Sequence, residues 1–108
     1  LSPVLESLIV SKNKLNSITK KLPLTLKILD CHSNKLDSLP KKLPSNLEAI
    51  DCSENNLMSL PDLHSSLLHL NVSRNQLTSL PENLPSGLEV LNCGSNRLTP
   101  HIERFGCF

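Results

Sequence analysis

Short stretches of alternating apolar and polar residues recur along this chain, and each stretch belongs to the same eleven-residue phrase. The five copies are LESLIVSKNKL from Leu5, LKILDCHSNKL from Leu26, LEAIDCSENNL from Leu47, LLHLNVSRNQL from Leu67 and LEVLNCGSNRL from Leu88. The asparagine at position nine of each phrase recurs at intervals of 21, 21, 20 and 21 residues. A fixed period of about twenty residues indicates a solenoid of stacked coils.

The alternation within each phrase predicts which side chains face the interior. Positions one, four, six and eleven are apolar and are expected to point inward, whereas positions three and five point outward with the period of two that a strand requires. Successive strands then stack as a parallel sheet. The composition fits this picture, because Trp and Tyr are absent and only two Phe are present. Leucine therefore fills many similar layers in place of one irregular core.

The repeated asparagine is predicted to form a structural ladder where the chain turns away from each strand. An amide side chain both donates and accepts hydrogen bonds, so it can satisfy backbone groups that the bend leaves unpaired. The ladder consists of Asn13, Asn34, Asn55, Asn75 and Asn96.

Between the phrases lie proline-containing tails such as DSLPKKLPSN and TSLPENLPSG. Proline removes a backbone donor and disfavours helix, so this outer side is predicted to be extended or polyproline II. We expect one domain over residues 1–108, with repeats starting at 5, 26, 47, 67 and 88 and a capping segment over 99–108. The first residues resemble the end of a preceding tail, so the sequence is expected to begin inside a longer array.

Phrases such as LNVSRNQLTSLPENLPSGLEVLNC and LEAIDCSENNLMSLP resemble the LPX type of bacterial leucine-rich repeat, and this similarity extends over roughly residues 5–99. The pattern departs from that type at Ile18-Thr19, where Pro is expected, and in LHSS, where other tails have LPS. The resemblance implies a leucine-rich-repeat solenoid with a parallel β-sheet on its concave face. It also implies an effector protein of the kind that bacteria inject into eukaryotic cells. Some members of that family carry a separate ubiquitin-ligase domain with a Cys-x-Asp nucleophile. Repeats of similar sequence also occur in amoebae and large viruses.

The cysteines favour a structural role in a reducing compartment. Cys31, Cys52 and Cys93 occupy inward position six, where other repeats have Val, so they are interpreted as small buried hydrophobic residues. No Cys is followed two residues later by Asp, and the sequence contains neither a nucleophile elbow nor a glycine-rich phosphate loop. We therefore expect no enzymatic activity and no cofactor. The cytoplasm, or the cytosol of a host cell, is the expected location.

Charge and histidine placement give two minor possibilities. The net charge is +1, but residues 1–46 carry +5 and residues 47–108 carry −4. Paired lysines in adjacent tails could contact anionic lipid: Lys20, Lys21, Lys41 and Lys42. No apolar run approaches the ~20 residues of a membrane span, and nucleic-acid binding is not expected from the overall charge. His32 and His69 lie two repeats apart, about 10 Å at the spacing of strands, so no metal site is predicted.

The outward strand face is the predicted functional surface, because its residues vary from repeat to repeat while the inward ones stay fixed. We expect it to bind a protein partner that is basic or rich in amides. The candidate contact residues are Asp30, Asp51, Asn71, His69, His32 and Arg74. The alternative is that this chain is the substrate-recognition part of a longer E3 ubiquitin ligase whose catalytic domain lies elsewhere. A purely structural or ice-active surface is less favoured, because it needs identical outward ladders.

Overall fold

The computed structural model describes residues 4–18 and 21–98. Within them, five three-residue strands form one parallel sheet in the order of the sequence. They are β1 (Ser7–Ile9), β2 (Ile28–Asp30), β3 (Ala49–Asp51), β4 (His69–Asn71) and β5 (Val90–Asn92). Every strand occupies positions three to five of its phrase, which confirms the predicted leucine-rich-repeat solenoid.

The register of the sheet sets each residue beside its equivalent in the next repeat. Leu29 of β2, for example, pairs with Leu8 on one side and Ile50 on the other. The same register holds between β3 and β4 and between β4 and β5. Side chains from one position of the phrase therefore form a continuous row across all five strands, and a change in one residue alters one step of that row.

The core contains the inward positions of the phrase, as predicted, together with the tail leucines Leu22, Leu39 and Leu43, and burial is most complete in the middle repeats. In the second repeat, Leu26, Leu29, Cys31 and Leu36 are all 0% exposed. The first repeat is less covered, because no strand lies on the far side of β1 within the described residues. Leu15, at position eleven of that repeat, is accordingly 36% exposed. The solenoid is thus held by a leucine stack whose stability depends on neighbouring coils.

The connections on the outer side contain turns and bends but no helix within the described residues, in agreement with the proline content. A tight turn precedes each later phrase, since the N–H of Leu26 donates to the carbonyl of Pro23 at 3.1 Å. The departure LHSS keeps this turn, because the carbonyl of His64 accepts the N–H of Leu67 at 3.2 Å. The turn needs only a carbonyl at this place, which explains why proline is dispensable there.

All three position-six cysteines are buried, as predicted, but Cys93 does not remain a reduced thiol. Cys31 and Cys52 are buried free thiols, whereas Cys93 takes part in a disulfide bond. The sequence argument treated the three as equivalent. Cys93 lies in the last repeat of the described ladder, whereas coils stack on both sides of Cys31 and Cys52.

Candidate functional site on the strand face

The outward side of the sheet, called here the strand face, consists of two parallel rows of side chains. Position three contributes Ser7, Ile28, Ala49, His69 and Val90, and position five contributes Ile9, Asp30, Asp51, Asn71 and Asn92. Four of the five strands line a shallow depression of about 290 Å³ between these rows. Both rows are open to solvent, so they are available to a binding partner.

The two rows differ in chemical character. In the position-three row, Ile28 and Val90 are apolar and are 43% and 41% exposed. The position-five row has one apolar member, Ile9 of the edge strand, which is 66% exposed. The second row carries two carboxylates and two amides over β2 to β5. Apolar contact on one side and hydrogen-bond acceptors on the other is a combination that suits a protein ligand.

Position five also has a structural role that the sequence analysis missed. The Oδ1 atom of Asp51 accepts the backbone N–H of Ser53 at 3.1 Å and its hydroxyl at 2.7 Å. Asn71 makes the same two bonds to Ser73, at 3.1 and 2.8 Å. Such a bond to the second following residue is an Asx turn, which Asp and Asn both form. The signal in the sequence was an Asp or Asn two residues before a short polar residue.

The second repeat has His32 where the next two repeats have serine, and this brings three metal-ligating side chains together. The Nδ1 atom of His32 lies 2.5 Å from Oδ1 of Asp30 and 3.8 Å from Oδ2 of Asp51. One potential ligand atom from each residue lies within 4.8 Å of the others. This cluster was not predicted from the sequence, because histidines were compared with each other and not with carboxylates on adjacent strands.

The remaining predicted contact residues lie beside this cluster. The Nε2 atom of His69 is 3.7 Å from Oε1 of Glu89 in the next repeat. Arg74 lies 3.9 Å from Glu54, and both side chains are more than half exposed. Exposed pairs of this kind contribute little to stability and are screened by salt. His69 and Arg74 are therefore accessible at the strand face and at its edge.

Position eight of the phrase adopts a left-handed backbone conformation in every repeat. The φ angles lie between 55° and 59° at Lys12, Ser33, Glu54, Arg74 and Ser95, although none of these residues is glycine. This conformation turns the chain sharply after the strand. The absence of glycine at position eight means that no residue in the sequence signals it.

The asparagines of the ladder connect each coil to the preceding one. The Oδ1 atom of Asn75 accepts the N–H of Leu57 at 3.0 Å, and its amide donates to the carbonyl of Cys52 at 3.0 Å. Asn34, Asn55 and Asn96 make equivalent bonds. Asn13 of the first repeat bonds only to carbonyls of its own turn among the described residues. These bonds fix the spacing of the strands and hence of the two outward rows.

The lysine edge is only partly described. Lys21, Lys41 and Lys42 are exposed, and the last two border a depression of about 530 Å³ that Ser17, Ile18, Ser38, Leu39 and Pro40 also line. Lys20, the three N-terminal residues and the expected capping segment 99–108 lie outside the described residues. Contact of this edge with anionic lipid stays a prediction.

The free thiols are poorly suited to nucleophilic chemistry. Burial, reinforced by the carboxylates of Asp30 and Asp51, raises the pKa of Cys31 from 9.0 to about 12. Burial also raises the pKa of Cys52, which is 0% exposed, well above its usual value. Since the thiolate is the reactive form, both groups are inert near neutral pH.

The strand order, the buried leucine rows and the asparagine ladder make this chain a leucine-rich-repeat solenoid. A family profile described as Leucine Rich Repeat matches residues 66–86. Comparison with curated protein sequences gives no match. Within the described residues, no helix is long and apolar enough to cross a membrane.

Two solved structures are similar over nearly the whole chain. The leucine-rich-repeat domain of a Shigella effector has a TM-score of 0.78 and 28% identity, over 96% of this chain and 66% of that one. YopM from Yersinia enterocolitica WA-314 has a TM-score of 0.78 and 35% identity, over 91% of this chain and 26% of that one. This chain thus spans just under two thirds of the first protein and about a quarter of the second. These similarities support an effector-type repeat domain.

Proposed function

We propose that this chain is a protein-interaction module that binds its partner through the strand face. The observation that carries the proposal is the contrast between the two sides of each strand. The inward residue at position four is always Leu or Ile, whereas its outward neighbours range from Ile28 to His69 and from Ile9 to Asp51. Variation confined to a solvent-facing surface on a fixed scaffold is typical of solenoids that recognise proteins.

The charge and shape of this surface indicate the chemistry of the partner. Asp30 and Asp51 stand side by side in register and create negative potential in the half of the depression that β2 and β3 line. Ile28 and Val90 provide apolar contact near either end. A segment with a lysine or arginine between apolar residues would complement this arrangement, since charge fixes the register while apolar burial supplies affinity.

The site of action is proposed by similarity to the bacterial domains described above, one of which is an effector. This chain would then act on a host protein after secretion. The disulfide bond of Cys93 is the observation that favours a different setting, because disulfides persist mainly in oxidising compartments. The ubiquitin-ligase alternative concerns residues outside this chain, and it stays a prediction from the family resemblance.

The test is affinity capture from eukaryotic cytosol with three forms of the chain, followed by binding measurements on the purified partner. The first form is wild type and the second carries Asp30→Lys and Asp51→Lys. The third carries Asp62→Lys and Glu82→Lys, which make the same change in charge on the opposite side of the coils. A protein that wild type and the third form retain, and the second form releases, would support the strand face.

A further double variant, Asp30→Asn and Asp51→Asn, guards against misfolding. Asparagine keeps the oxygen acceptor of the Asx turn, as Asn71 does naturally. This variant should fold like wild type, shown by an unchanged melting temperature, yet bind the purified partner about tenfold more weakly for the loss of two charges. Equal binding by all forms, or capture of no protein by wild type, would contradict the proposal.

A further inference from the structure

We propose that Asp30, His32 and Asp51 form a binding site for a divalent transition-metal ion, with Zn²⁺ as the best-suited ion. The site lies on the strand face at the junction of the second and third repeats. The site uses residues that are also proposed to contact the partner, but its test, ion binding by the isolated chain, does not require the partner.

The identity of the ligand atoms selects the class of ion. One imidazole nitrogen and two carboxylate oxygens suit Zn²⁺, whereas Ca²⁺ and Mg²⁺ prefer oxygen ligands alone. Three protein ligands leave at least one coordination position for water, since Zn²⁺ commonly has four ligands. That position would face solvent, because the side chains of His32 and Asp30 are each 26% exposed and that of Asp51 is 37% exposed.

The distances require only a small adjustment. Ligands at about 2.1 Å from a tetrahedral zinc ion are separated from one another by about 3.4 Å. His32 Nδ1 and Asp51 Oδ2 are 3.8 Å apart, close to that separation. The 2.5 Å contact between His32 Nδ1 and Asp30 Oδ1 is a hydrogen bond, which the ion would replace by moving between the two atoms.

The surrounding hydrogen bonds orient both carboxylates for this role. Ser53 donates its N–H and its hydroxyl to Oδ1 of Asp51, which leaves Oδ2 directed toward His32. The backbone N–H of His32 donates to Oδ1 of Asp30 at 3.2 Å. Partners that hold ligands in place in this way raise the affinity of a site, because the ion does not have to order its ligands.

Electrostatics give a further reason for a cation at this place. Asp30 and Asp51 are direct neighbours in the parallel register, and like charges at such positions repel each other. A divalent ion neutralises both carboxylates and leaves the imidazole uncharged. At the equivalent place between the third and fourth repeats, Asp51 is beside Asn71, and the position-seven residue is Ser53. The ladder therefore offers this ligand set at one step within the described strands.

The test is isothermal titration of Zn²⁺ into the chelator-treated full chain without thiol reductant. Wild type should bind one ion per chain. His32→Ala and Asp51→Asn should each weaken that binding by about tenfold or more, as expected for loss of a ligand. His69→Ala is the matched control, because His69 lies on the same face beside Glu89 but outside the cluster, and its binding should equal that of wild type.

If His32→Ala does not fold, Asp51→Asn still tests the site. Asn71 shows that asparagine is accepted at position five, so this variant is expected to fold. Substitution of Co²⁺ gives a second readout, namely weak visible absorption bands without the intense near-ultraviolet band of a thiolate ligand. Binding that survives in folded Asp51→Asn, or that is lost in His69→Ala, would overturn the assignment. So would the absence of zinc binding to wild type, or a thiolate band with Co²⁺.

Discussion

The side-chain oxygen of Asn55 accepts the backbone N–H of Leu36, nineteen residues earlier, at a distance of 3.0 Å. The amide nitrogen of the same side chain donates to the carbonyl of Cys31 in that earlier repeat and to Cys52 in its own, both at 3.1 Å. Asn55 is only 7% exposed, so water cannot take over these bonds. One side chain therefore holds two coils together and satisfies backbone groups that the turn would leave unpaired.

Replacement of Asn55 by alanine is expected to destabilise the protein far more than the same change at Asn71. The first substitution leaves several buried backbone groups without partners, each costing about 1–3 kcal/mol. Asn71 is half-buried, and its side chain bonds only to Ser73 among the described residues. Thermal unfolding followed by circular dichroism measures both variants against wild type. Equal shifts in melting temperature would mean that the ladder does not carry the stability assigned to it.

Replacement of Asn13 by alanine is expected to have a small effect, although this residue occupies the same position of the phrase. Its amide donates to the carbonyls of Val10 and Ser11 in its own turn, and its side chain is exposed. Exposed substitutions usually change stability by no more than about 0.5 kcal/mol. Urea unfolding of the Asn13 and Asn55 variants under the same conditions checks the difference. A loss at Asn13 as large as that at Asn55 would contradict it.

The fold was predictable from the sequence because every repeat has the same pattern of apolar and polar positions. The alternation around Leu29, Ile50 and Leu70 sets inside and outside in each strand, and a near-constant period leaves one way to stack the coils. The less regular first and last coils show the limit of this argument. Leu15 fits the pattern at position eleven but is 36% exposed, because burial depends on a neighbouring coil as well as on the residue type.

The candidate site was predictable only in outline. The strand register follows from the period, so the neighbouring positions of Asp30 and Asp51 could be derived from the sequence. The contact of His32 with them depends on the side-chain conformations of His32 and Asp30, which place Nδ1 of His32 against Oδ1 of Asp30 and 3.8 Å from Oδ2 of Asp51. These are properties of side-chain rotation that the repeat pattern does not encode. Cys93 is a similar case, since its disulfide bond distinguishes it from residues at the same position of the phrase.

Stability is expected to fall between about pH 9 and pH 12 through the two free thiols. Burial raises the pKa of Cys31 in the folded chain to about 12, whereas the ordinary pKa of a thiol is 9.0. Within that window the unfolded chain releases protons that the folded chain retains, so alkali favours unfolding. The loss is at most about 1.4 kcal/mol per pH unit for each thiol. Below pH 9 both states are protonated, and the thiols cause no dependence on pH.

The matched variant for this prediction carries Cys31→Val and Cys52→Val, since Val72 already occupies the same buried position. Lysines titrate in the same range, so the informative quantity is the difference between the two proteins. Chemical denaturation at several pH values should give a shallower decline for the valine variant. Parallel declines for both proteins would show that ionisation of the thiols does not limit stability in alkali.

The left-handed conformation at position eight is expected to make stability sensitive to the residue type there. Ser95 is the simplest position at which to test this. Its φ angle is 55° and its side chain is exposed, so a substitution there changes mainly the backbone preference. Left-handed φ values cost a non-glycine residue about 1–2 kcal/mol. Ser95→Gly should therefore be more stable than wild type, and Ser95→Val less stable, because a β-branched side chain tolerates this conformation worst.

Ser59 supplies the control for this pair, because it is exposed but does not have a positive φ. Glycine at Ser59 gains nothing from relief of strain and adds freedom to the unfolded chain, so it should lower stability slightly relative to valine. In urea unfolding, the glycine variant should therefore be more stable than the valine variant at Ser95 and less stable than it at Ser59. The same order at both sites would show that the sharp turn after each strand does not depend on the residue that adopts it.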